Sequence, residues 1–149
     1  MINEKLTPTG QLKIVVTDKF GKVKEQRVEK NLVVTTGLNF IAARMTDGSI
    51  PTDMSHMSVG TGTTAANIAD TTLVTETARV ALTGGAGVPS TNTIVYVASY
   101  PAGTGTGALT EAGVLNAASS GTLLCRTVFG AVNKGASDSI TITWTITIS

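Results

Sequence analysis

SITITWTITI, residues 139–148, is the stretch that decides the fold. Ile140, Ile142, Trp144, Ile146 and Ile148 alternate with Thr141, Thr143, Thr145 and Thr147. Successive side chains of a strand point to opposite faces, so this segment has one apolar face and one threonine face. Fully burying an apolar side chain of this kind stabilises by roughly 1.5–3 kcal/mol as an upper estimate. A slip of one residue would turn the whole apolar row into water, so the register is strongly set. The segment is expected to be a core strand of a sandwich.

Working outward, the same period recurs. In residues 11–17, QLKIVVT, the apolar positions Leu12, Ile14 and Val16 alternate, which predicts a strand buried on one face. Residues 18–22, DKFGK, are a turn candidate, and 23–30, VKEQRVEK, a polar return strand. Its Lys24, Arg27 and Lys30 would guard an open edge against unwanted pairing. Further strands are expected at 54–59, 78–83, 92–100, 111–116 and 122–132, with 84–90 a loop and 68–77 a short helix or irregular chain. The period changes only in 35–45, TTGLNFIAARM, where Leu38, Ile41, Ala42 and Met45 form a helical stripe. Thr35 or Thr36 would cap that helix and Arg44 suits its C-terminal end. Residues 47–51, from Asp47 to Pro51, would end it.

There are 26 threonines and 16 glycines in 149 residues, and charged residues make up only 14%. Threonine favours strands and glycine favours turns. With no regular alternation of strands and helices, a doubly wound parallel sheet is excluded. The expected fold class is all-β with one short helix, an antiparallel β-sandwich of jelly-roll or immunoglobulin-like type. One such domain would span 1–149, with 1–30 as an N-terminal hairpin or arm.

Charge excludes some partners. Residues 1–30 hold seven Lys/Arg against four Asp/Glu, and the remainder four against six. That imbalance is too small for a nucleic-acid binder, and no aromatics interleave the basic residues. Lys19, Lys22, Lys24 and Arg27 are instead candidate contacts to an acidic protein partner. No apolar run approaches the roughly 18 residues of a membrane span, and the first ten residues lack a leader's apolar core. With Cys125 as the single cysteine, the chain is expected to be made in a reducing cytoplasm.

Two glycine runs invite a test. Gly60-Thr61-Gly62-Thr63-Thr64-Ala65 fits the dinucleotide pattern G-x-G-x-x-A, and Gly103, Gly105 and Gly107 form a second run. A dinucleotide site needs a strand, the glycines, a helix, and an acid about 20 residues on. Residues 65–80 read as a poor helix, and the acid's position falls near Val80 and Ala81. Neither run is followed by the lysine of a phosphate-binding loop. Both are expected to be loops, and no cofactor is expected.

Catalytic and metal-binding patterns are equally sparse. His56 is the single histidine; Ser55 and Ser58 are read as facing away from it, which makes it a structural strand residue. No paired Cys or second His offers a zinc set, and Asp47 and Asp53 around Gly48 lack calcium-loop spacing. Glu76 and Glu111 would be a carboxylate pair, isolated loop acids, or the partners of Arg79 and Arg126. Cys125, Met45, Met54 and Met57 are read as core packing. The chain is expected not to be an enzyme.

Four phrases resemble structural proteins of tailed bacteriophages: Asn31 to Ala42 (NLVVTTGLNFIA), Met54 to Gly62 (MSHMSVGTG), Thr110 to Asn116 (TEAGVLN), and the closing block with RTVF from Arg126, NKG from Asn133 and TITWT from Thr141. In order they span most of residues 30–149. The resemblance implies a β-rich virion component similar to capsid cement (decoration) proteins, forming a dimer or trimer that binds the major capsid protein. The alternative it leaves open is a tail-fibre or tail-adaptor module bound to tail proteins. A surface- or carbohydrate-binding sandwich is the second alternative.

Overall fold

The computed structural model describes residues 2–46 and 48–149, so Asp47, read above as part of a loop, lies outside the described residues. Among the described residues there are nine strands and one helix. In chain order they are β1 (Pro8–Thr17), β2 (Val23–Val33), α1 (Thr35–Ala43), β3 (His56–Gly60), β4 (Glu76–Ala81), β5 (Val88–Ser90), β6 (Thr93–Tyr100), β7 (Gly107–Leu115), β8 (Leu123–Lys134) and β9 (Ser139–Ile148). Every pairing is antiparallel, in one sheet of order β4-β3-β7-β8-β2-β1-β9-β6-β5.

β9 forms with the bounds its alternation predicts. Ile140, Ile142, Trp144 and Ile146 are buried, and Ile148 is half-buried at the strand's end. β9 lies between β1 and β6, with Trp144 opposite both Leu12 and Tyr96. The inward positions of β1 are Leu12, Ile14 and Val16, as the period requires.

The sheet turns a corner within β2. From Asn31 back to Val23 that strand pairs with β1, whereas its last residues, Leu32 and Val33, pair with Arg126 and Cys125 of β8. Strands β1, β9, β6 and β5 thus form one half of the sheet, and β8, β7, β3 and β4 the other. The halves curl towards each other around one core, which takes Ile142, Trp144 and Tyr100 from the first and Met57, Val114 and Cys125 from the second. The Tyr100 hydroxyl donates to the Met57 carbonyl at 2.7 Å, and Thr83 N–H donates to the Val97 carbonyl at 2.8 Å. The result is a curled, half-barrel-like antiparallel sheet.

Where β2 and β8 diverge, side chains replace the ladder. Thr127 Oγ1 donates to the Lys30 carbonyl at 2.6 Å, and Arg27 donates to the carbonyls of Gly130 (2.7 Å) and Ala131 (3.4 Å). Arg27 also reaches Glu25 at 2.6 Å and lies 3.8 Å from Glu29. Glu25, Arg27 and Glu29 stand opposite Val16, Ile14 and Leu12 on β1. The charged inward row of β2 is tolerated because the strand runs along this gap and not over the core.

The helix corrects one expectation. Its buried side runs through Gly37, Phe40 and Ile41, while Leu38 is partly exposed and Met45 is 79% exposed. A Cβ at Gly37 would collide with the carbonyl of Leu124 on β8. Glycine alone permits that approach, and of the expected stripe only Ile41 faces the core while Leu38, Ala42 and Met45 turn outward. Nor do the threonines cap the helix. Val34 is the N-cap with no side-chain bond, and Thr36 Oγ1 donates to the Leu123 carbonyl at 2.7 Å.

Strand boundaries differ from expectation at several places. β7 begins four residues earlier than its apolar run, β4 starts two residues earlier, and the three-residue β5 falls within the stretch read as a loop. Residues 68–75, left open between helix and irregular chain, are irregular.

Candidate functional site

Residues 61–75 form a long loop over the outer face of β7 and β8. Leu73 packs there with Val34, Leu115 and Leu123 in a small second core. The loop is held by a charged centre on the strands beneath. Glu111 of β7 and Arg126 of β8 are both wholly buried, and their side chains meet at 2.8 Å (Nη2–Oε2) and 3.0 Å (Nε–Oε2).

Each partner is nearly saturated. Glu111 also accepts backbone N–H bonds from Gly62 (3.0 Å), Val74 (3.0 Å) and Thr75 (2.7 Å). Arg126 further donates to Asp70 at 2.7 Å and to the Thr64 carbonyl at 2.9 Å. Burial by itself would raise the pKa of Glu111. The N–H groups of Thr75 and Val74, the Arg126 guanidinium and the Gly62 N–H outweigh it and hold the carboxyl below its usual range.

This geometry answers the question posed by the first glycine run. A Cβ on Gly62 would collide with the Glu111 carboxylate, and one on Gly60 with the Thr75 carbonyl. The run does receive an anion, but the anion is the chain's own carboxylate. Both oxygens of Glu111 are engaged, so the centre has no open face for a phosphate and no free lone pair for general-base work. In the second run, Gly103 and Gly105 have φ of 82° and 64° and turn the chain between β6 and β7.

Glu76 and Glu111 lie on either side of Gly60 in the sheet, opposite it from β4 and β7 respectively. They do not act as a pair; each turns to its own arginine, Glu76 to Arg79 at 2.8 Å and Glu111 to Arg126. Arg79 also donates to the carbonyls of Ala117 and Ser120, both at 2.8 Å. The sequence offered these partners as one alternative, but not the burial of Glu111 and Arg126. The available signal was a lone arginine inside the apolar run Leu123-Leu124-Cys125-Arg126.

Ser55 Oγ lies 2.9 Å from His56 Nδ1, against the expectation that it faces away. Strand alternation does not apply to Ser55, because β3 begins only at His56. Ser58, two residues on, shares the face of His56 by alternation and donates to Glu76 at 2.9 Å. Cys125 is wholly buried and burial pushes its thiol pKa up, so it is inert packing. Burial likewise pushes Tyr96 up to about 12. Met54 and Met57 pack in the core as expected, whereas Met45 does not. Asp53 bridges Arg44 at 2.8 Å. Among the described residues no group of three or more His, Cys, Asp or Glu side chains could hold a metal ion, and no helix is long and apolar enough to cross a membrane.

The four basic candidates fall into two groups. Lys24 Nζ bonds Asp138 at 2.7 Å, beside the turn into β9, and Arg27 holds the β2–β8 gap. That lysine and the Gly135 N–H keep the Asp138 carboxyl below its usual range. Lys19 stands 5.0 Å over the ring of Phe20 at the tip of the β1–β2 hairpin, and Lys22 occupies the same exposed turn. The hairpin tip therefore keeps two of the four available to a neighbour.

A groove of about 430 Å³ lies between α1 and the sheet, walled chiefly by Phe40, Ile41, Ile94, Tyr96, Ile146 and Ile148. A concavity of about 650 Å³ covers the outer face of β1 and β9, lined by Thr143, Thr145, Thr147, Thr9, Gln11 and Lys13. Comparisons with protein-family models, curated proteins and solved structures gave no match.

Proposed function

We propose that this chain is a non-enzymatic structural protein of a tailed-bacteriophage virion, acting as capsid cement that bridges and stabilises shell subunits. Its partner would be the major capsid protein, and it would work as a dimer or trimer. In this reading the two curled halves of the sheet are the layers of a sandwich. The observation that carries the proposal is the use made of the buried charges: Glu111 and Arg126 close on one another, with the half-buried Asp70, to hold a loop. That arrangement suits a protein whose work is contact. The threonine-lined concavity on β1 and β9 adds support. Short β-branched side chains lose little conformational freedom on docking, and a polar rim suits a non-obligate interface. The resemblance of four of its phrases to virion proteins supports the same reading.

The test is addition of purified protein to undecorated shells, followed by calorimetry and copy counting. Hundreds of copies per particle and a raised shell-melting temperature are the expected results. A few copies confined to the tail would favour the tail-adaptor alternative, and no binding to either would overturn the proposal.

A further inference from the structure

The chain leaves two apolar side chains of its first residues in water. Ile2 is 93% exposed and Leu6 is 63% exposed. The inward positions of β1 are even-numbered, and Ile2, Glu4 and Leu6 continue that parity. Residues 2–6 are therefore patterned like a strand with one side to bury. The last residue of this arm with a partner is Thr7, which exchanges backbone hydrogen bonds of 2.6 and 3.1 Å with Ser149.

Beside that point lies the groove between α1 and the sheet. Ile148, one of its walls, pairs with Pro8 at the root of the arm. Its rim carries Met45, 79% exposed, and next to the lining residue Pro89 stands Val88, 65% exposed. Met45 and Val88 extend the groove's apolar lining to the surface. Arg44, also in the lining, donates to the Pro51 carbonyl at 2.9 Å and to Asp53 at 2.8 Å, and its guanidinium keeps further donors. None of residues 2–6 lines the groove of its own chain.

We propose that this groove receives the N-terminal arm of a second copy of the chain, with Ile2 and Leu6 on its apolar walls and Glu4 against Arg44. The arm and the groove are each incomplete in one copy and complementary between two in apolar character, and Arg44, which shares the lining with Asp53, has donors left for Glu4. Each copy gives one arm and takes one; a reciprocal exchange closes as a symmetric dimer, and a head-to-tail one runs into a ring or an open filament. The inference stands apart from the virion reading. A protein that exchanges arms yet leaves shells unchanged overturns only the cement proposal, and a monomer that strengthens shells overturns this inference and the proposed dimer or trimer while leaving the cement role standing.

The experiment uses the full chain. Leu6 and Met45 are exposed, so Leu6→Cys with Met45→Cys leaves the core intact, and the buried Cys125 does not compete. Mild oxidation is expected to give covalent dimers or larger oligomers on a non-reducing gel. Crosslinking confined to single chains, or none, overturns the proposal. In sedimentation equilibrium, Leu6→Asp should weaken self-association roughly tenfold or more. Glu4→Arg should weaken it too, and Glu4→Arg with Arg44→Glu should restore it. Variants that associate like the unaltered chain, or an unaltered chain that stays monomeric at the highest concentration measured, also overturn it.

Discussion

Replacing Glu111 by glutamine would keep its shape and remove its charge. Arg126 would then sit wholly buried with only Asp70 as its counter-charge, and breaking a buried pair from one side costs roughly 3–5 kcal/mol. Denaturant unfolding of Glu111→Gln should show a loss of that order. Removing both partners, as in Glu111→Gln with Arg126→Met, should not recover it. The N–H groups of Gly62, Val74 and Thr75 depend on that carboxylate, and glutamine offers only one accepting oxygen. A double variant as stable as the unaltered protein would contradict this account. At this scale the sequence was partly legible. It paired Glu111 with Arg126 as one alternative, but no local pattern says that a polar strand residue faces a covering loop and not solvent.

The helix and the β2–β8 gap carry the predictions at the scale of elements. In α1, Gly37→Ala would place a methyl group against the Leu124 carbonyl. The helix would have to lift from β8, and overpacking of this kind costs about 1–3 kcal/mol. The melting temperature should fall, and hydrogen exchange should quicken in residues 35–43 before the rest of the chain. Across the gap, Arg27→Met should remove the bonds to Gly130 and Ala131. Hydrogen bonds from a charged donor contribute roughly 1.5–3 kcal/mol. The partial exposure of Arg27 puts the expected loss at the lower end of that range, with faster exchange in β2 measured by mass spectrometry. Periodicity located α1 but misjudged its face, because hydropathy counts Leu38 and Met45 as core and gives glycine no weight. The contact was set instead by the absence of a side chain. β5 and the start of β7 escaped for a related reason: three residues and a glycine border carry too little alternation to register as strand.

For the molecule as a whole, acid is the informative perturbation. The Glu111 and Asp138 carboxyls both lie below their usual range in the folded chain. Each therefore contributes stability that is fully present above its unfolded value, roughly pH 4, and lost as pH falls through its lower folded value. The unfolding midpoint should be level from neutral pH to about 5 and should fall below about 4. Glu111→Gln should flatten that fall, and a slope unchanged by it would place the acid sensitivity elsewhere. The sequence by itself determined the antiparallel β character, the single helix, and the inward rows of β1 and β9. Those are local matters: strand alternation and helical period are written in neighbouring residues and need no knowledge of distant ones. Only the tertiary structure decided that β2 leaves one half of the sheet for the other, that Lys24 and Arg27 serve the molecule's own joint, and that the first glycine run closes on Glu111. Each of those outcomes joins residues tens of positions apart, and which distant backbone comes close enough to need a glycine or a buried charge is settled by packing.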